Sequence, residues 1–230
     1  SMGIENKPKI VVAPSLLAAD FSNLEKALDY CNNSSATWLH LDIMDQQFVP
    51  NLSFGPGIVK NIRKHSKLFF DVHLMVSNPF EMIDLFINAG ADGISFHIEA
   101  SESRFTFPPK LIINKIRRAN LLCGIAIKPK TPFTIIKKYM DLIDYVVVMS
   151  VEPGFAGQKF IPESLNKIQE IHQFIIENNL LNQVSIQIDG GVKLHNAKDV
   201  VNAGANILVA GSEVFQSENP TEVINKMSQV

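Results

Sequence analysis

The sequence has almost no excess of charge of either sign. Its 230 residues include 21 Lys and Arg against 23 Asp and Glu, which gives a formal net charge of −2. Clusters of Lys and Arg, which mark nucleic-acid-binding surfaces, are missing as well. We therefore expect no nucleic-acid partner.

Long apolar runs are also missing. The longest, such as Tyr145–Met149, have the length of a β-strand, whereas a membrane-spanning helix needs ~18 or more apolar residues. The first apolar run begins at Ile10, which leaves no room for the apolar region of a signal peptide, and residues 1–3 are typical of a remnant of an expression vector. These features predict a cytoplasmic protein without a membrane partner.

Cysteine is scarce. Cys31 and Cys123 lie 92 positions apart, without the Cys-x-x-Cys spacing of many metal and redox sites. Two such cysteines are more typical of buried thiols than of a disulfide framework or a zinc knuckle. We expect two buried thiols in a reducing compartment.

The residues that are present alternate between two patterns. Short runs rich in Val, Ile, Leu and Phe predict strands buried on both faces at 10–14, 38–44, 68–75, 92–98, 122–127, 143–150, 184–189 and 206–210. Apolar residues at three- and four-residue spacing predict helices at 21–30, 57–65, 79–88, 109–119, 132–140, 162–178, 198–203 and 220–227. Eight βα units in this length favour a closed (β/α)₈ TIM barrel over an open sheet. With no linker in the chain, we predict one α/β domain over 1–230, with 1–9 as a tail.

Polar residues crowd the carboxyl ends of the predicted strands, where the working groups of such barrels lie. Several are paired at a spacing of two, which places both side chains on one face of a strand, here the barrel interior. These residues are Ser15, His40, Asp42, Asp71, His73, His97, Glu99 and Asp189.

Four of these residues have the chemistry of a metal site. His40, Asp42, His73 and Asp189 offer two imidazoles and two carboxylates, the ligands of a divalent transition metal. The alternative is that each histidine is a hydrogen-bonded core residue. That alternative weakens for the set, because burying all four without a shared partner is costly. His65, His172 and His195 fall in or beside helices and are predicted to be surface residues.

Glycine-bearing loops follow three consecutive strands. They contain residues 154–157, then Gly190 and Gly191, then Gly211 and Ser212. Such loops commonly hold phosphate through backbone N–H groups, although ordinary turns are the alternative. The loop 151–160 is also long enough to act as a lid. A metal, two carboxylates and a phosphate site together indicate proton chemistry on a small phosphorylated sugar, with Asp42 and Asp189 on opposite faces of the substrate.

Five segments of the chain resemble the signature segments of the ribulose-phosphate 3-epimerase (pentose-5-phosphate 3-epimerase) family. The resemblance runs in order over residues 10–212. The segments are PSLLAAD at 14–20, LHLDIMD at 39–45 with FVPN at 48–51, DVHLMV at 71–76, VEPGFAGQKF at 151–160 and IDGGV at 188–192.

The resemblance implies a (β/α)₈ isomerase of the pentose phosphate pathway that interconverts D-ribulose 5-phosphate and D-xylulose 5-phosphate. It implies one divalent metal per active site (Zn, Fe(II), Mn or Co) bound by His40, Asp42, His73 and Asp189, and a homo-oligomer. The two aspartates would also act as acid and base at C3. Ser15 would contact the substrate, and further contacts would come from the side chains of Met44, Met75 and Met149 and, around the phosphate, from Gly154, Phe155, Ala156, Gly157, Gly190, Gly191, Gly211 and Ser212.

The chain departs from the family pattern at two positions. Gln46 and Ala156 stand where the family usually has glycine. Because a methyl group is tolerated only where φ is not positive, we expect an altered lid with retained catalysis.

Three rival functions share this fold. A 3-epimerase of a six-carbon ketose phosphate, such as D-allulose 6-phosphate, would use the same residues. A related decarboxylase or aldol-type synthase is disfavoured, because its third strand resembles Asp-x-Lys and this chain has histidine at position 73. A barrel that only binds its ligand would have little reason to keep both Asp42 and Asp189.

Overall fold

Eight parallel strands form a nearly closed barrel in the computed structural model, which describes residues 9–101 and 107–230. From β2 to β8 consecutive strands pair with each other, and β1 pairs with β8, so the sheet is open only between β1 and β2. A parallel bridge between Ser15 and His40 links the first and second strands. The strands are β1 Val11–Pro14, β2 Trp38–Met44, β3 Phe69–Met75, β4 Gly93–His97, β5 Leu122–Ile127, β6 Tyr145–Met149, β7 Ser185–Asp189 and β8 Ile207–Ala210.

Helices connect the strands and cover the outside of the barrel. Four of them begin at the proline that the sequence places in a first turn, where the missing backbone N–H costs nothing. The helices are Leu24–Asn32, Pro56–Arg63, Pro79–Ala89, Ile98–Ser101, Pro109–Arg118, Ser164–Glu177, Leu194–Ala203, Ser212–Phe215 and Pro220–Met227. The predicted (β/α)₈ barrel is thus confirmed, while residues 1–3 lie outside the described residues. Within the described ranges, no helix is long and apolar enough to cross a membrane.

The helix predicted at 132–140 is not a continuous α-helix. The segment instead forms two 3₁₀ helices, Phe133–Ile135 and Lys137–Leu142. Its buried side chains are Phe133, Ile136, Tyr139 and Met140, and the first three recur every three residues, which matches the three residues per turn of a 3₁₀ helix. The β-branched run at 134–136 also lowers the helix propensity of the segment.

Alternate residues of each strand point into the barrel, and its lower part is filled by aromatic rings. The ring of Trp38 stacks on Phe69 with 4.1 Å between centroids and meets Tyr145 edge-on at 5.6 Å. Tyr145 fits because its neighbour across the pair is Gly124, where an added Cβ would lie 2.6 Å from the tyrosine ring. These rings form the floor of the barrel. The layers above them, toward the carboxyl ends of the strands, contain the polar side chains.

Strand register brings those polar side chains together. His40 pairs with Asp71, and Asp42 pairs with His73, because β2 and β3 are aligned residue by residue. One expectation for this layer is wrong: β4 ends at His97, and Glu99 lies in the short helix Ile98–Ser101 instead of on the strand. The Glu99 side chain nevertheless turns back to His97, with 2.9 Å between Oε1 and Nδ1.

Candidate active site

Two histidines and two aspartates meet at the carboxyl end of the barrel. His40 Nε2 lies 3.2 Å from Asp42 Oδ1 and 3.3 Å from Asp189 Oδ2. His73 Nδ1 lies 3.2 Å from the same oxygen of Asp189. One ligand atom from each residue falls within 4.8 Å of all the others, so the four can bind a single metal ion.

The carboxylates and the histidines of this cluster shift one another's pKa: the pKa of Asp42 and Asp189 is lowered and that of His40 and His73 is raised. Burial alone would raise the pKa of Asp42, but the adjacent imidazoles of His40 and His73 hold the pKa of this carboxyl well below its usual range. The pKa of Asp189 is lowered in the same way by His40 and His73, against the effect of burial. Two ionised carboxylates and two imidazole nitrogens suit a divalent transition metal, and the arrangement does not distinguish between Zn, Fe(II), Mn and Co.

A buried carboxylate behind the cluster orients His40. Asp71 Oδ2 lies 2.7 Å from His40 Nδ1, so the N–H at Nδ1 donates a hydrogen bond to Asp71. The lone pair of the ring then lies on Nε2, which faces the cluster. Asp71 also accepts hydrogen bonds from the Tyr145 hydroxyl, at 2.9 Å, and from Gln187 Nε2, at 2.7 Å. Tyr145 and Gln187 are not among the site residues predicted from the sequence, although their inward positions on β6 and β7 follow from the two-residue alternation.

A cleft opens above the cluster at the carboxyl end of the barrel. Ser15 lines it and donates a hydrogen bond of 2.6 Å from its hydroxyl to Asp42 Oδ2. His40 and His73 lie fully buried beneath the cleft. Every other residue that the sequence analysis assigned to the site lines the cleft: Asp42, Met44, Met75, Met149, Gly154, Phe155, Ala156, Gly157, Asp189, Gly190, Gly191, Gly211 and Ser212. Of the other histidines, His65 and His195 are exposed and His172 is partly buried.

The two departures from the family pattern have different backbone conformations. Gln46 adopts a φ of 59°, a conformation that glycine takes more easily. Ala156 does not adopt a positive φ, so its methyl group causes no backbone strain. The loop that contains Ala156 is tied to the loop after β2, because Asn51 Nδ2 donates a hydrogen bond of 2.9 Å to the carbonyl of Gly154.

Comparison with known proteins identifies the family. Residues 11–215 match the sequence model of the ribulose-phosphate 3 epimerase family. This chain belongs to the ribulose-phosphate 3-epimerase family. A family member from Schizosaccharomyces pombe, named ribulose-phosphate 3-epimerase, is 42% identical over 93% of this chain and 90% of that protein. One of the same name from Synechocystis is 42% identical over 94% and 91%, and the cytoplasmic isoform from rice is 37% identical over 94% and 92%.

Solved structures of other enzymes share the fold of this epimerase-family chain. The orotidine 5'-phosphate decarboxylase of Pyrococcus horikoshii superposes with a TM-score of 0.67 at 14% identity, over 95% of this chain and 98% of that one. The 3-hexulose-6-phosphate synthase of Salmonella typhimurium gives 0.65 at 16%, over 96% and 97%. At such low identity the likeness extends to the barrel alone.

Gly191→Ala is expected to destabilise the protein more than the matched change Gly157→Ala. Both glycines have a positive φ, 67° and 79°, which costs an L-residue roughly 1–2 kcal/mol. An added Cβ at Gly157 meets nothing within 4 Å, whereas at Gly191 it overlaps the backbone of Phe160 and Gln158. That overlap adds roughly 1–3 kcal/mol, because the neighbouring backbone must shift. Denaturant unfolding of the two variants measures the difference, and equal losses would contradict this account of the loops.

Proposed function

We propose that this epimerase interconverts D-ribulose 5-phosphate and D-xylulose 5-phosphate by moving a proton at C3. The observation that carries the proposal is the pair of carboxyl groups, Asp42 on β2 and Asp189 on β7, which reach one cluster from well-separated strands. One of them, as a carboxylate, removes the proton from one face of C3, and the other, as a carboxylic acid, delivers its own proton to the opposite face, so the two exchange protonation states in each turnover. Removal of a proton from one face and delivery to the opposite face inverts the configuration at C3, whereas removal and return on the same face would restore it.

The four clustered side chains would hold a divalent cation. When bound, this cation polarises the substrate carbonyl and stabilises the negative charge of the enediolate. Ser15 orients Asp42 through its hydrogen bond of 2.6 Å, so the carboxylate presents a fixed oxygen to C3. The buried side chains of Met44, Met75 and Met149 surround the reacting carbon with polarisable sulfur and exclude water from it.

The phosphate of the substrate binds to the loops that follow β6, β7 and β8. Three observations support this assignment: these loops border the same cleft as the aspartates, they come from adjacent strands, and they include five glycines that allow close approach of the backbone. Phosphate bound there directs the sugar chain toward Asp42 and Asp189. The loop 151–160 would close over the sugar as a lid.

We place this enzyme in a reducing, cytoplasmic compartment. Cys31 and Cys123 are buried, free thiols, and burial raises the pKa of Cys31 to about 12, so neither is poised for disulfide chemistry. The homo-oligomer implied by the family stays a prediction.

Turnover of D-ribulose 5-phosphate, with the formation of D-xylulose 5-phosphate as readout, tests the proposal. D-allulose 6-phosphate serves as the comparison substrate on the same metal-loaded enzyme. We expect kcat/KM for the pentose phosphate to be the higher of the two. A higher value for the six-carbon sugar would assign the enzyme to that substrate instead.

A further inference from the structure

A chain of hydrogen bonds leads away from the metal cluster behind His73. His73 Nε2 lies 2.9 Å from His97 Nε2, and His97 Nδ1 lies 2.9 Å from Glu99 Oε1. We propose that Glu99, acting through His97, is a positioning residue that keeps the proton of His73 on Nε2 and thereby leaves Nδ1 free to bind the metal. This inference rests on the proposed metal-assisted function.

Counting protons shows which atom donates and which accepts in each of these hydrogen bonds. Each contact needs one donor and one acceptor, and an ionised carboxylate can only accept. Glu99 therefore requires a proton on His97 Nδ1, which leaves His97 Nε2 as an acceptor. His97 Nε2 in turn requires the proton of His73 on Nε2. The lone pair of His73 then lies on Nδ1, the nitrogen that faces the two aspartates of the cluster.

Glu99 is held as a permanent acceptor. Burial alone would raise its pKa, but hydrogen bonds from His97, from the Thr131 side chain and from the backbone N–H of Lys128 lower the pKa to about 2. The Lys128 N–H donates to Oε2 at 2.8 Å, so both carboxylate oxygens have donors. Glu99 is therefore ionised throughout the neutral pH range.

The residues around His97 and Glu99 prevent these hydrogen bonds from rearranging. The ring of His97 is fully buried and packs between His73, with centroids 5.0 Å apart, and Phe48, also at 5.0 Å. The loop that supplies the Lys128 N–H is anchored by Lys167, whose ammonium group donates to the carbonyls of residues 128, 129 and 131 at 2.7 to 3.2 Å. The position of the acceptor is thus fixed by the fold.

His40 and His73 are oriented by different hydrogen-bond partners. His40 contacts the carboxylate of Asp71 directly through Nδ1 and presents Nε2 to the cluster. Among the described residues, no carboxylate contacts Nε2 of His73; this nitrogen contacts His97, which in turn contacts Glu99. This difference explains why a third buried imidazole lies beside the cluster without being within reach of a shared metal.

Metal affinity of Glu99→Gln tests the proposal. An amide offers one acceptor and one donor to two groups that both donate, so the variant loses the hydrogen bond to His97 or the one to Lys128. We expect Co²⁺, titrated against a chromophoric chelator, to bind this variant about 10- to 100-fold more weakly than the wild type, as for other residues that support metal ligands. The matched control is Glu213→Gln. The Glu213 carboxylate also accepts a hydrogen bond from a backbone N–H, that of Leu194 at 2.7 Å, but it takes no part in the hydrogen bonds that link Glu99, His97 and His73.

The outcomes separate the inference from the proposed function. Equal Co²⁺ affinity of wild type and Glu99→Gln would overturn the positioning role alone, whereas wild type that binds no Co²⁺ would overturn the metal-assisted function itself. If Glu99→Gln does not fold, ¹H–¹⁵N correlation of the ring nitrogens in zinc-loaded wild type decides the matter. The proposal requires protons on His97 Nδ1 and His73 Nε2, and a proton on His97 Nε2 would refute it.

Discussion

Replacement of Asp189 by Asn is expected to lower turnover by about 10²- to 10⁴-fold, the typical loss when a positioned proton-transfer group is removed. The amide keeps an oxygen for the metal and fills the same space, but it cannot take or return a proton at C3. Asp42→Asn is expected to show a loss of similar size. Steady-state turnover in both directions, at saturating metal, measures the effect.

Isotope exchange distinguishes loss of one acid from loss of the whole site. In D₂O, each variant retains one carboxylate, which is expected to exchange the C3 hydrogen of one epimer without producing the other. Asp42→Asn and Asp189→Asn should therefore exchange opposite epimers. Retained turnover in either variant would end the two-acid assignment, and exchange of the same epimer in both would show that one aspartate serves only as a ligand.

Removal of divalent metal by a chelator is expected to abolish nearly all turnover. A metal contributes several kcal/mol of charge stabilisation in the transition state, and each 1.36 kcal/mol corresponds to a factor of ten, so the loss is about 10²-fold or more. Addition of Zn²⁺, Fe²⁺, Mn²⁺ or Co²⁺ should restore activity to extents that rank the metals. Circular dichroism of the stripped enzyme controls for unfolding, and full turnover of stripped, folded enzyme would contradict the account.

The barrel could be predicted because its pattern is local. Strands buried on both faces give continuous apolar runs, and helices give a period of 3.6 residues, so eight repeats identify the architecture. Periodicity failed at 132–140, because three-residue and four-residue spacings overlap over a segment this short. It also failed at Glu99, since a spacing of two predicts one strand face only while the strand continues, and β4 ends at His97.

The metal cluster could be predicted from residue types at strand ends, whereas its supporting hydrogen bonds could not. Asp71 meets Tyr145 and Gln187 across the barrel interior, at sequence separations of 74 and 116 residues. No local pattern encodes which inward-facing residues of distant strands share a layer, because barrel closure and strand stagger decide this. The roles of His97 and Glu99 likewise depend on ring orientation, which only three-dimensional packing determines.

Deuterium incorporation at C3 tests the central claim most directly. D-ribulose 5-phosphate is incubated in D₂O with metal-loaded and with chelator-stripped wild-type enzyme, and the label and D-xylulose 5-phosphate are followed together by NMR. The account predicts metal-dependent incorporation of deuterium at C3 that accompanies formation of the epimer. Epimer formed by the metal-loaded enzyme without deuterium at C3 would contradict proton transfer through the two aspartates.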